Sequence, residues 1–133
     1  MPDLAATLSI REMCDAFAVT ARTLRFYEAK ELLFPIREGT RRHFTRSDRA
    51  RLTLILRGKR FGFSLEDIRQ LLDMYNRDGS NEAQLTRTYE LARDRLAQMQ
   101  AQRVELDFAI AELQAELAAG QVALAAFRKA AAE

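Results

Sequence analysis

Hydrophobic positions change their period once along the chain. Up to about residue 75 they fall in short runs spaced three and four apart, and beyond residue 81 they recur every seven. In the first stretch Ile10, Met13, Cys14 and Phe17 follow i, i+3, i+4, i+7 spacing, which predicts a helix with one apolar face. Ser9, with Glu12 three residues on, supplies a capping box for its start. Only Ala18 and Val19 separate this helix from Thr20, the cap of a second helix, TARTLRFYE, anchored by Leu24. Two helices joined so tightly predict a helix–turn–helix.

Phe34–Pro35 ends the helical reading. The segment from Ile36 to Phe44 predicts a short hairpin turning at Glu38–Gly39–Thr40, a wing. Thr45 and Asp48 open a third helix, with Leu52, Ile55 and Leu56 on its core face. Gly58, Gly62 and Ser64 mark a corner, and Ile68, Leu71 and Leu72 carry a fourth helix to about Tyr75. Asn76–Arg77–Asp78–Gly79–Ser80–Asn81 reads as a linker.

Past the linker, Leu85, Ala92, Met99, Leu106 and Leu113 form one seven-residue series. Tyr89, Leu96, Ile110 and Leu117 form a second, interrupted by Arg103. Together they make a coiled-coil seam. A lone helix from Glu82 to Ala118 would be roughly 55 Å long and would have no core for that stripe. The simplest partner is the same helix of a second copy, so a homodimer is expected. Arg103 is expected to snorkel from the seam or to pair with Glu105 or Asp107.

Composition narrows the class. Hydrophobic residues are 48% and charged residues 30%, as in globular proteins, and no apolar run is long enough to span a bilayer. The N-terminal MPDLAATLSI lacks the basic and apolar regions of a secretory signal. One cysteine, Cys14, allows no internal disulfide, and a cytoplasmic location is expected. The net charge of +2 hides a division. Thr20 to Arg60 carries 12 Lys+Arg against 4 Asp+Glu, a net of +8, and the remainder carries 9 against 15, a net of −6. The first segment alone therefore suits a polyanion.

The chemistry sits in that segment. Arg22 and Arg25 lie three apart and can share one helix face, fit for phosphates or the edge of guanine. Tyr27 offers a hydroxyl, and Phe26 either packs on sugar or thymine methyl or fills the core. Arg41–Arg42–His43 adds a second basic cluster. The plain alternative for any one of these is a solvated charged face. No paired carboxylate, nucleophile–base pair or phosphate loop appears, so an enzyme is not expected. Cys14 lies on the apolar face of the first helix and reads as a core thiol, and neither metal nor cofactor is expected.

TARTLRFYEAKELLFPIREGTRRHF, followed by LRGKRFGFSLEDIRQLL, resembles the MerR family of bacterial transcription regulators over about residues 8 to 75. The resemblance implies a mainly α fold: a winged helix–turn–helix at 8–75, a linker at 76–81, a dimerisation helix at 82–118 pairing as an antiparallel coiled coil, and a short tail at 119–133. It places Thr20, Arg22, Arg25, Phe26 and Tyr27 on the DNA-touching helix, Arg41, Arg42 and His43 on the wing, and Lys59 at a second wing. It implies a dimer interface of Leu85, Tyr89, Ala92, Leu96, Met99, Leu106, Ile110, Leu113 and Leu117. Phe26 and Phe44 stand where many relatives have tyrosine. The implied partners are double-stranded promoter DNA, a second copy and, indirectly, RNA polymerase, with activation by DNA distortion. Between Asn76 and Glu133 there is no cysteine or histidine, which suits a subgroup that does not sense metals, of a kind tied to branched-chain amino acid and acyl-CoA degradation. A small organic effector would then sit near Tyr89, Phe108, Val122 and Phe127, the tail folding back as a short helix. The alternative is a MerR-like co-chaperone modulator whose helix–turn–helix docks a protein.

Overall fold

The computed structural model describes residues 6–76 and 82–133. Most of the linker expected at 76–81 lies outside these described residues. Seven elements follow one another: α1 (Ile10–Phe17), α2 (Ala21–Ala29), β1 (Ile36–Glu38), β2 (Arg41–His43), α3 (Arg46–Phe61), α4 (Leu65–Asn76) and α5 (Glu82–Ala132). The fold is mainly helical, with a helix–turn–helix, a two-stranded wing and one long C-terminal helix. The chain divides into two compact units, Met1–Leu91 and Ala92–Glu133.

Helices α1 to α4 each start where the sequence provides a cap. Ser9 Oγ accepts from Glu12 N while Glu12 Oε1 accepts from Ser9 N. Thr20 Oγ1 accepts from Thr23 N, and Ser64 Oγ accepts from Asp67 N. Between α1 and α2 the chain turns through Ala18 in the left-handed region, φ 53°. The wing is antiparallel, with Ile36 opposite His43, Arg37 opposite Arg42 and Glu38 opposite Arg41. Its two turn residues are Gly39 and Thr40. Gly39 has φ 60°, a conformation that costs an L-residue about 1–2 kcal/mol and glycine little.

The core is one cluster. Met13, Leu24, Leu32, Leu33, Phe44, Leu52, Ile55, Ile68 and Leu72 are fully buried, with Tyr27 and Phe63 beside them. Ile10, Cys14, Phe17, Leu56 and Leu71 pack at its edge. Leu32, Leu33 and Phe44 are core residues that periodicity does not announce, because they lie in the irregular stretches flanking the wing.

Two charged side chains enter this interior. Asp48, 1% exposed, accepts from Phe34 N at 2.9 Å and from Thr45 N and Oγ1 at 3.0 and 3.1 Å. It therefore caps α3 and ties down both ends of the segment that carries the wing. Arg51, 8% exposed, donates Nε to Leu32 O at 2.8 Å and lays its guanidinium 5.1 Å from the centre of the Phe34 ring. Leu8 pairs with Phe44 through two backbone hydrogen bonds of 2.9 and 2.7 Å, which close the far side of β2.

α5 runs through Gly120 to Ala132 without a break, so 119–133 does not fold back as a separate short helix. One straight consequence is register. Leu124 follows Leu117 by seven residues and Phe127 follows Leu113 by twice seven, so both extend the heptad stripe. Phe127 is exposed in the single chain. Leu85, Tyr89, Ala92, Leu96, Met99, Leu106, Ile110, Leu113 and Leu117 are all exposed in the single chain.

Gly58 marks where α3 and α4 touch. A Cβ there would lie 2.8 Å from Ile68 Cγ1, inside contact distance of a buried side chain. Gly58→Ala is expected to destabilise the protein by about 1–3 kcal/mol, the usual cost of overpacking, despite alanine's better helix propensity. Gly120 has open space around its Cα, and Gly120→Ala should stabilise α5 by about 0.5–1 kcal/mol. Denaturation monitored by helical circular dichroism checks both signs.

Candidate nucleic-acid interface

Helix α2 has two faces. Leu24 and Tyr27 point into the core, while Arg22, Arg25, Phe26 and Ala29 line an exposed stripe at helical spacing. Phe26 is 44% exposed, and Lys30 Nζ lies 5.7 Å from its ring centre. Among the described residues no carboxylate forms an ion pair with Arg22 or Arg25. Their guanidinium groups, each with five donors and a fixed charge, face solvent ready for an anionic partner. Thr20 is also exposed, but its hydroxyl is occupied with Thr23, at 3.1 Å from the amide and 2.9 Å from Oγ1.

Tyr27 departs from the expectation of an offered hydroxyl. It is 5% exposed, its ring is part of the core, and burial pushes its phenol above the ordinary value. Of the adjacent aromatics, Phe26 is the one on the surface. The two rings sit 5.8 Å apart, tilted by 52°.

The wing arginines fall on different sides of the hairpin. Arg41 is exposed beside the turn. Arg42 is turned inward, where its Nε donates to Glu28 Oε1 at 2.6 Å. Arg37, across the hairpin, donates Nη1 to Glu28 Oε2 at 3.2 Å. Glu28 thus joins α2 to both wing strands, a link that no sequence motif signalled. Burial alone would raise the Glu28 carboxyl, but hydrogen bonds from Arg42 and Arg37 and their charge outweigh it and hold the group below its ordinary value. His43 is mostly sheltered. Its Nε2 lies 3.3 Å from Glu38 Oε2 without the alignment of a hydrogen bond, and its Nδ1 is 3.5 Å from Thr7 Oγ1. Lys59 is exposed in the last turn of α3, where its charge also suits the helix C-terminus.

The structure therefore brings α2 and the wing side by side through Glu28, with Arg22, Arg25, Phe26 and Arg41 exposed. Among the described residues no group of His, Cys, Asp and Glu is arranged to hold a metal ion, and no helix is long and apolar enough to cross a membrane.

Comparison with known proteins fits this arrangement. A family model for the MerR HTH family regulatory protein matches residues 8–75, and one described as MerR, DNA binding matches residues 49–115. The HTH-type transcriptional regulator ZntR of Escherichia coli K12 is 40% identical over 67 residues, 49% of this chain and 48% of that protein. ZntR of Escherichia coli O157:H7 matches equally. The chain thus spans about half the length of these relatives. Among solved structures, HiNmlR, a MerR family regulator lacking the sensor domain and bound to promoter DNA, aligns with a TM-score of 0.67 and 26% identity, covering 90% of this chain and 94% of its own. A MerR family regulator from Bacillus cereus aligns with a TM-score of 0.59 and 27% identity, over 75% and 74% of the two chains. PbrR691 from Ralstonia metallidurans CH34, in complex with lead(II), aligns with a TM-score of 0.52 and 29% identity, over 73% and 80%.

The Glu28 pairs make stability depend on pH in a defined direction. The carboxyl's folded value lies below the ordinary 4.5, so its contribution is complete above that value and is lost as pH falls through the lower one. Wild type should be more stable than Glu28→Gln at neutral pH, and the gap should close in acid. Chemical denaturation of both proteins across that range measures it; a gap that widens in acid would contradict the assignment.

Proposed function

The chain belongs to the MerR family of helix–turn–helix regulators, and from that premise we propose that it is a sequence-specific, DNA-binding transcription regulator acting as a homodimer. The observation that carries the reading is the exposed stripe of Arg22, Arg25 and Phe26 on α2, joined through Glu28 to a wing that presents Arg41. α2 enters a major groove, where Arg22 and Arg25 read base edges and Phe26 packs on sugar or methyl groups. Arg41, Arg42, His43 and Lys59 contact the backbone beside it, with Thr20 at the helix start and Tyr27 limited to what its buried ring leaves accessible. The alignment with a promoter-bound regulator supports this docking.

The dimer forms through α5. Its heptad stripe, from Leu85 to Phe127, is exposed in the single chain, and antiparallel pairing with a second copy covers it. Such a dimer spans two half-sites and distorts the promoter between them, so that RNA polymerase engages elements otherwise misplaced. The domain scheme of a DNA-binding head at 8–75, a linker at 76–81 and a dimerisation helix from 82 suits this mechanism. No observation favours the protein-docking alternative.

The signal, on this reading, is organic rather than metallic, in a subgroup tied to branched-chain amino acid or acyl-CoA degradation. The single thiol, Cys14, packs against the core of the head, away from any cluster of other ligands among the described residues. Phe108 and Val122 are exposed α5 residues outside the heptad series and are the candidate contacts for an effector.

Two measurements test the reading. Placing a charge at both Leu96 and Leu106 should give monomers in sedimentation, since each leucine buried in the dimer contributes roughly 1.5–3 kcal/mol. A wild type that is already monomeric at micromolar concentration would remove the dimer. Binding to a duplex selected from a random-sequence pool separates the arginines. Arg22→Ala should relax base preference, whereas Arg42→Ala should weaken all sequences alike and lower the salt slope by about one. The reverse pattern would exchange their roles.

A further inference from the structure

Arg37 and Arg42 stand directly opposite each other across the wing. Like charges in that position repel and loosen an antiparallel pair. Glu28 resolves the conflict, since its Oε1 accepts from Arg42 Nε at 2.6 Å and from Arg37 Nη1 at 3.5 Å while its Oε2 accepts from Arg37 Nη1 at 3.2 Å. The three side chains belong to three elements, α2, β1 and β2, and the Glu28–Arg42 half of the cluster is largely sheltered from solvent. Considered as charge alone, the carboxylate is misplaced. It lowers the net charge of the 20–60 segment from +9 to +8, although the partner is a polyanion and every cation spent on a phosphate adds affinity. A solvent-exposed ion pair elsewhere would also be worth little.

We propose that Glu28 is a positioning residue for DNA recognition: it clamps the wing to the recognition helix, so that the Arg22–Arg25 stripe and the Arg41 tip meet the duplex as one preset surface. The inference rests on the DNA-binding reading given above. Its physical basis is preorganisation. A hairpin of three residues per strand has few contacts of its own, and a wing fixed before binding spares the ordering cost that a loose one would pay on the DNA. Arg42 then serves through its Nε bond to Glu28 as well as through its charge.

Clamp and bystander predict opposite signs. Removing Glu28 raises the positive charge by one, so a bystander variant binds DNA more tightly and with a steeper salt dependence. A clamp variant binds more weakly in spite of that charge. The probe is a duplex selected from a random-sequence pool by the wild-type protein, with E28Q, E28A, R42A and the double variant E28A/R42A measured on it across salt. E28Q keeps the side-chain volume and covers the case in which E28A folds poorly; thermal midpoints are recorded for each. The expected result is about tenfold weaker binding for E28Q and E28A, and little further loss when E28A is added to R42A, because contacting partners are not additive. E28Q binding as tightly as wild type, or more tightly, overturns the clamp while leaving DNA binding intact. A wild type that selects no duplex overturns the DNA-binding reading and the clamp with it.

Discussion

Asp48 receives three hydrogen bonds at a place closed to solvent, and the geometry of the head follows from meeting that requirement. A buried carboxylate is tolerable only when its oxygens are satisfied, and leaving one bare costs several kcal/mol by order of magnitude. One of its donors is the amide of Phe34 and the others belong to Thr45. Those two residues must therefore lie within reach of a single side chain. The segment 35–44 between them has to leave the body and return, and a hairpin is the natural path. The same aspartate starts α3, so the origin of the wing and the origin of the central helix are set by one group.

Around that point the head divides its charges by depth. Asp48 and Arg51 are interior and close corners of the backbone. Glu28, Arg37 and Arg42 lie at intermediate depth and join α2 to the wing. Arg22, Arg25 and Arg41 are outermost and, among the described residues, have no carboxylate partner. Each layer uses the same functional groups for a different purpose, decided by how much water reaches them. α5 contrasts with this, since Leu85, Tyr89, Leu96, Leu106, Ile110, Leu113 and Leu117 are exposed on it in the single chain.

Periodicity made the helices legible. The Ser9, Thr20 and Thr45 caps, the Met13, Leu24, Leu52 and Ile68 core positions and the turn at Gly39 all follow from local rules that a single sequence displays. What stayed hidden depends on contacts between distant positions. Leu32, Leu33 and Phe44 sit in irregular chain, so no period marks them as core. Tyr27, by contrast, lies three residues after Leu24, so helical spacing already puts its ring on the core face. Glu28 pairs with residues nine and fourteen positions away, beyond any helical spacing. The expected short tail at 119–133 is instead the continuation of α5 to Ala132, with Leu124 and Phe127 seven and fourteen residues beyond Leu117 and Leu113.

The anchors of the wing also define what is left unanchored. Asp48 holds its base at residues 34 and 45, and Glu28 holds its middle at 37 and 42. The tip, residues 38–41, carries neither bond; a Cβ at Gly39 would meet nothing within 4 Å, and Thr40 is exposed. Replacing Thr40 or Arg41 there alters what the hairpin presents without touching the Asp48 and Glu28 bonds, whereas Gly39 is held by its positive φ. Such a tip is an exchangeable part on a fixed bracket. Replacing Arg41 there changes the charge that the hairpin offers a partner, while the helices beneath keep their packing.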